Sequence, residues 1–484
     1  MDLRQKVLSG LGWSAGAKLL AQLVAWPITI LVMRLLTPGD YGLMAIAGVF
    51  IAFLTTLSEF GLGAALVQRQ KLEESTLRHV FGFLLVINFC LFLLLFSVAP
   101  LIATFFDEQG ISRIIRILSM QFLIMSFGTI PRSLILRKMD FKSLSIVDFI
   151  SIIIGSLTTL MLAMIGWGVW SLVWGNLAMT MCSTTILNFI SPNLRLPCFS
   201  SKEMGQTISF GSYMTLNGVM WFFFSQADMF IIGKFIGKEL LGFYSVAKNV
   251  ALLPIEKVSG IIDQVAFPAF STIQADSQKI ASHFLKAVRV MSFFAFPVLW
   301  GISSIAPELV GVLLGNKWYL ASVPLQILSL VIPFRIIRGL LIPTMNGLGR
   351  PDISFFNSFL AAMVIPLAIL IGTHWGLVGV SLAWVFAFLL VFFCNFFYTV
   401  RILQISVLDI LVAMIKPVSG AAAMYACVIT IKMVFGMDAK SVWHLILLIV
   451  AGIMIYGGVI ITLHKEGCRE VLGLMKNVRG NLGR

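Results

Sequence analysis

From Trp13 to Leu463 the chain is a succession of apolar runs, each about twenty residues or longer, separated by short polar breaks. A run of that length matches the hydrocarbon core of a bilayer when coiled as a helix, and a helix satisfies its own backbone hydrogen bonds in lipid. A membrane barrel would instead alternate in segments of about ten residues, so the run length excludes it. Composition agrees: 59% of residues are hydrophobic and 12% charged, where a soluble protein carries about a quarter charged. The fold class is therefore an all-α polytopic membrane protein. The breaks place fourteen helices, at 13–36, 41–66, 80–105, 113–135, 145–166, 168–190, 208–236, 240–268, 286–313, 318–343, 353–373, 375–400, 408–433 and 442–463. Residues 191–206 form a polar link in the middle, and Thr37-Pro38-Gly39-Asp40 reads as a tight turn. The first run is too long for a signal peptide and is expected to stay attached.

The net charge of +14 does not indicate nucleic acid, because the basic residues are spread over many short loops and form no patch. They mark orientation instead. Alternate loops on the side of the N-terminus hold twenty Lys and Arg, and the opposite side holds seven. Positive loops face the cytoplasm, so both termini are expected there. The six cysteines are scattered without a CxxC pair and read as packing residues. There is no phosphate-binding glycine loop, no GxSxG elbow and no metal-ligand cluster, and no loop between the predicted helices has room for a catalytic domain. The sequence predicts a protein that is not an enzyme and carries no metal or cofactor.

The chain also repeats. Arg34-Leu-Leu-Thr-Pro-Gly-Asp-Tyr-Gly42 aligns with Lys234-Phe-Ile-Gly-Lys-Glu-Leu-Leu-Gly242 at an offset of 200. Further on, Gly166-Trp167-Gly168 resembles His374-Trp375-Gly376, and Ser171-Leu172-Val173-Trp174 resembles Ser381-Leu382-Ala383-Trp384. The expected organisation is a six-helix bundle over 1–200, its repeat over 201–402, and two extra helices with a basic tail over 403–484. Six helices per repeat start both halves on the same side, the parallel arrangement found in some secondary transporters.

Charges inside apolar runs are costly, so they usually face a cavity or a partner. Lys18 and Glu59 lie at similar depth on adjacent helices, as do Asp228 and Lys248 at the other mouth. Each pair reads equally as gate or coupling charges and as a structural bridge. Glu256 and Lys257 are adjacent in mid-helix and point in different directions, so at least one faces water or another helix. Arg335 and Arg338 share one helix face. Together they suit a diphosphate group, since arginine grips phosphate oxygens in pairs, although snorkelling of Arg338 to the inner surface is the alternative. Arg34, Arg132 and Lys234, at helix ends, read as snorkelling residues, and Asp148 as solvated.

The residues Trp13-Ser14-x-x-x-Lys18, Arg34 through Phe50 and Ser58-Glu-Phe-Gly-Leu-Gly-Ala-Ala-Leu-Val-Gln-Arg69 resemble the start of Wzx-type polysaccharide flippases, in the colanic-acid-exporter branch of the superfamily that also contains the MATE exporters. The resemblance implies two six-helix bundles in a V around a cationic cavity, with two extra helices. It implies transfer of an undecaprenyl-pyrophosphate-linked oligosaccharide across a bacterial inner membrane, with coupling to H+ or Na+ a common trait. A polysaccharide polymerase and a chain-length regulator are the implied protein partners. It supports Lys18, Glu59, Asp228 and Lys248 as cavity residues, since helices 1, 2, 7 and 8 line the cavity in that superfamily; with the charges read above, Lys18, Lys257, Arg335 and Arg338 are expected at the substrate, and Glu59, Asp228, Lys248 and Glu256 in gating or coupling. A lipid II flippase, a drug or cation antiporter, and a membrane polymerase or ligase are the competing readings.

Overall fold

The computed structural model describes residues 3–58, 66, 73–192, 196–198, 205–253, 277–341, 344–345, 351–436 and 441–463. Among them the regular structure is helical throughout, with no strand. The helices are α1 (Leu3–Leu35), α2 (Pro38–Ser58), α3 (Glu74–Phe105), α4 (Gln109–Arg137), α5 (Phe141–Met164), α6 (Val169–Ile190) and α7 (Gly205–Phe235). They continue as α8 over 238–253, then α9 (Ser277–Ser304), α10 (Ala306–Leu313), α11 (Ser322–Arg338), α12 (Pro351–Gly372), α13 (Gly376–Leu403), α14 (Val407–Phe435) and α15 (Val442–Leu463). Nine spans among the described residues are long and apolar enough to cross a membrane. The chain is a multi-pass membrane protein.

The chain forms two compact units, Met1–Gly242 and Phe243–Arg484. In the first, α3 packs on α4, α4 on α6 and α5 on α6, with α1 against α5. In the second, α9 packs on α11, α11 on α13 and α12 on α13. The same pairing pattern thus recurs within each unit. Local conformation repeats too. Gly168 and Gly376 start α6 and α13 with φ of 55° and 60°, a region where a Cβ is strained, which explains glycine in both Trp-Gly pairs.

Two expected elements differ in detail. The Thr37–Asp40 turn is instead the start of α2. Thr37 caps the helix: its Oγ1 accepts from Asp40 N at 3.2 Å, and Asp40 Oδ2 accepts from Thr37 N at 2.9 Å. Pro38 takes the first helical position, where a missing N–H costs nothing. The expected helix 286–313 breaks between Ser304 and Ala306. Pro307 cannot donate to the preceding turn, so a new helix begins there. Asp140 caps α5, accepting from Ser143 N at 3.1 Å and Ser143 Oγ at 2.6 Å. These hydrogen bonds hold its carboxyl below the usual carboxylate range.

The two C-terminal helices dock on the second unit through α9. Ile305, Met424, Val428, Leu445 and Leu448 form a buried cluster there, and Tyr456 donates to the Phe293 carbonyl at 3.0 Å. One ion pair lies in this seam. Lys432 Nζ meets Glu308 Oε1 at 2.8 Å, with the glutamate side chain 3% exposed and the lysine 17%. The lysine also donates to Ser304 O at 3.0 Å. Removing one partner of a buried pair strands the other charge, at about 3–5 kcal/mol. Lys432→Met is therefore expected to lower the melting temperature of the purified protein sharply. Combining it with Glu308→Leu should recover most of the loss. An unchanged melting temperature in the single variant would contradict this account.

Candidate functional site

The repeated turn is where the first unit closes on itself. α1 ends at Leu35 and α7 at Phe235; α2 opens at Pro38 and α8 at 238. The offset of 200 read from the sequence therefore holds at both helix boundaries. The two helix starts lie backbone to backbone in a reciprocal clasp. A Cβ added at Gly42 would overlap the carbonyl oxygen of Lys238, and one at Gly242 would overlap that of Pro38. Only glycine permits so close an approach.

Side chains reinforce the clasp on both flanks. Lys234 Nζ binds Asp107 Oδ2 at 3.1 Å, donates to the Phe105 carbonyl and lies 4.9 Å over the Phe105 ring. Lys238 Nζ binds Glu108 Oε2 at 2.8 Å. Behind these ions α2 packs on α7 through aromatic contacts: Phe50 meets Phe230 at 6.2 Å and Phe53 meets Phe222 at 5.1 Å, while Phe106, at the end of α3, meets Phe230 at 5.4 Å. Asp107 is 83% exposed and Lys238 36%, and such surface pairs contribute at most about 1 kcal/mol each. The close backbone approach and the aromatic layer hold the clasp, and the ion pairs set its register.

A second cluster lies in the second unit. Arg335 from α11 places its Cζ 5.5 Å from the Trp384 ring centroid, and Arg338 its Cζ 5.8 Å from that of Phe388. Lys248 from α8 brings its Nζ to 6.0 Å from the same Trp384 ring. Arg338 is 8% exposed and donates to the Asn357 carbonyl at 3.4 Å. Lys248 is also buried, while Arg335 is partly exposed. Two helices thus gather three cations onto the aromatic face of a third, within a chain otherwise poor in charge.

The expected site residues fall out as follows. Arg335 and Arg338 share this ladder on two successive rings, and Lys248 joins them there. Asp228 is buried on α7, where its Oδ1 accepts from Met229 N at 2.8 Å. Lys18 lies on α1, but its side chain is outside the described residues, as are Glu59, Glu256 and Lys257 altogether. Arg132 and Lys234, expected to snorkel, are ion-paired; Arg132 Nη1 meets Asp148 Oδ1 at 3.0 Å. The acidic partners sit on neighbouring helices or in the short α3–α4 link, a placement that only the fold supplies. Trp384 and Phe388 were not anticipated, although their spacing of four residues on one helix marks a shared face.

Comparison with known proteins agrees with this architecture. The model of the polysaccharide biosynthesis protein family matches residues 31–323. The lipopolysaccharide biosynthesis protein WzxC of Escherichia coli (strain K12) is 26% identical over 425 residues, covering 87% of this chain and 83% of WzxC. The succinoglycan biosynthesis transport protein ExoT of Rhizobium meliloti (strain 1021) is 25% identical over 378 residues, covering 78% of this chain and 76% of ExoT. Among solved structures, the lipid II flippase MurJ in an inward closed conformation matches with a TM-score of 0.74 at 16% identity, over 94% of this chain and 99% of MurJ. An inward-facing multidrug resistance MATE family transporter matches with a TM-score of 0.61 at 16% identity, over 79% of this chain and 94% of the transporter. The two structures share the fold. With more than half its length matched, the chain belongs to the polysaccharide biosynthesis protein family, carried on the fold of the MATE and MurJ transporters.

Proposed function

We propose that this protein is a flippase. It carries an undecaprenyl-pyrophosphate-linked oligosaccharide from the cytoplasmic to the periplasmic leaflet of a bacterial inner membrane, for assembly of a surface polysaccharide. Membership of the polysaccharide biosynthesis protein family supports this substrate class. The observation that carries the site is the ladder of Lys248, Arg335 and Arg338 on Trp384 and Phe388. An anionic head group entering an apolar protein needs cations, and arginine offers planar paired donors to phosphate oxygens. A cationic drug would be repelled by the same cluster. The clasp at Gly42 and Gly242 closes the path on the periplasmic face, with both termini in the cytoplasm.

Asp228, a buried carboxylate on α7, is the residue assigned to a coupling ion, H+ or Na+. A polymerase and a chain-length regulator acting on the same polymer are the protein partners this role requires. Transport alone accounts for the residues, without a catalytic step. MurJ shares the fold over nearly the whole chain, which makes lipid II the second candidate substrate. A leaflet-accessibility assay in proteoliposomes separates the two. Labelled undecaprenyl-pyrophosphate oligosaccharide is expected to become exposed in a protein-dependent way, and labelled lipid II to stay behind. The opposite preference establishes the second reading, and protein-independent exposure of both overturns the flippase assignment.

A further inference from the structure

We propose that Arg113 and Arg116 hold the head group of an anionic phospholipid, in the membrane leaflet at the clasp end of the first unit. Of the seven basic residues that the sequence places on this side of the membrane, Lys234, Lys238 and Lys432 are bound to Asp107, Glu108 and Glu308. Arg113 and Arg116 pair with no acid among the described residues. They lie three residues apart near the start of α4, on one face of the helix, with Arg113 exposed and Arg116 partly so. Arg116 is held in place by α3. Pro100 has no N–H to give the Phe96 carbonyl one turn earlier, and Arg116 Nε donates to that carbonyl at 3.3 Å. The Cζ of Arg116 also lies over the Phe96 ring, 5.0 Å from its centroid. Neither terminal nitrogen of Arg116, nor any side-chain nitrogen of Arg113, makes a hydrogen bond among the described residues.

Below the arginines α3 offers a track for an acyl chain. Phe96, Phe92 and Phe89 descend it about one turn apart, with ring centroids 5.7 Å and 6.3 Å from one to the next. Phe96 and Phe89 are 40% and 50% exposed, and exposed rings within a spanning helix meet acyl chains. The depth fits a head group. α3 has 32 residues, which is about 48 Å at about 1.5 Å per residue, against a hydrocarbon core of about 30 Å. Centred in the bilayer, it extends about 9 Å beyond the core at each end. Phe96 lies about 13 Å from the end at Phe105, so Arg116 reaches from just inside the core to the level of the lipid phosphates. A bare guanidinium at that depth is costly, and a phosphate beside it removes the cost. The terminal nitrogens offer paired donors to phosphate oxygens, and Arg113 adds a second charge one turn nearer the surface. A zwitterionic lipid brings an ammonium that two cations repel. A head group whose only charge is its phosphate brings none, which selects lipids of the phosphatidylglycerol class.

The test uses the purified full-length protein in detergent. The probes are phosphatidylglycerol, phosphatidylcholine with the same acyl chains, and undecaprenyl pyrophosphate, and retained lipid is read by native mass spectrometry at graded lipid concentrations. Wild type is expected to prefer phosphatidylglycerol to phosphatidylcholine by about twentyfold, with about fivefold from each arginine. Arg113→Gln should lower the preference about fivefold, and Arg113→Gln combined with Arg116→Gln should remove it. Arg116→Lys keeps the charge without the paired donors and should fall between wild type and Arg116→Gln. Arg113 is exposed and bound to nothing among the described residues, so Arg113→Gln decides alone if the Arg116 variants do not fold. Equal wild-type affinity for the two phospholipids, or a preference that Arg113→Gln leaves unchanged, assigns the arginines to snorkelling and overturns the proposal. Arginine-dependent binding of undecaprenyl pyrophosphate alone assigns them to the transported lipid and overturns it as well.

Discussion

Gly39→Cys combined with Glu239→Cys is expected to stop transport under oxidising conditions and to recover it when the disulfide is reduced. A Cβ at Gly39 would lie 3.9 Å from Glu239 Cγ, with no closer atom than Thr37 Oγ1 at 3.8 Å. The two positions open α2 and α8, so their cross-link fastens the clasp without filling its core. Disulfides require Cβ atoms about 3.5–4.5 Å apart; with the Glu239 Cγ at 3.9 Å and its Cβ one bond further along, a small shift of the two helix starts closes the bond. The six native cysteines are replaced first, so that only the new pair reports. Oxidised protein should lose transport to the level of empty vesicles, while each single cysteine variant keeps it. Full transport by the cross-linked protein would show that the clasp never opens in the cycle.

The reverse change should have the reverse effect on cross-linking. Gly42→Val and Gly242→Val each place side-chain carbons on a backbone carbonyl oxygen of the facing helix start. Backbone cannot rotate aside as a side chain can. Overpacking of this kind costs about 1–3 kcal/mol or more, a shift of about tenfold to a hundredfold against the clasped state. Cross-linking at 39 and 239 should then slow by a comparable factor. The symmetry of the contact makes the two valine variants equivalent, and a large effect from only one of them would contradict the reciprocal geometry.

How far the sequence reaches is clear from these same residues. The fold class followed from run length alone, because lipid permits little besides long helices. The helix ends at Leu35 and Phe235 were legible because the repeat keeps its register at an offset of 200. Gly42 and Gly242 aligned in that repeat, yet nothing in the alignment said that they meet. Close backbone approach is a tertiary fact, and glycine also serves turns and flexible breaks. The Lys234–Asp107 and Lys238–Glu108 pairs join residues well over a hundred positions apart, so local charge patterning could not reveal them. Arg335 and Arg338 were found because charge in an apolar run is conspicuous. Their aromatic partners were not, because tryptophan and phenylalanine are ordinary in such a run. The pairing depends on the register between α11 and α13, which packing alone decides.

Arg335 and Arg338, one face of one helix in the sequence, are expected to fail in different ways when changed. Arg335 is partly exposed and lies over the Trp384 ring, while Arg338 is buried, lies over the Phe388 ring and is bonded to the Asn357 carbonyl. Arg335→Ala removes a charged donor from the site and little packing. A hydrogen bond to a charged group contributes about 1.5–3 kcal/mol, so substrate affinity should fall about tenfold to a hundredfold. The melting temperature should change little, and Arg335→Lys should recover part of the affinity through charge without the paired geometry. Arg338→Ala also opens a void beside Phe388 and removes the hydrogen bond to the Asn357 carbonyl, so it should lower protein level and melting temperature as well as transport. Measuring KM, melting temperature and membrane abundance for each variant separates the two roles. If the double alanine variant transports at the wild-type rate and KM, the cations of α11 do not hold the substrate's phosphates, and the site must be sought elsewhere in the molecule.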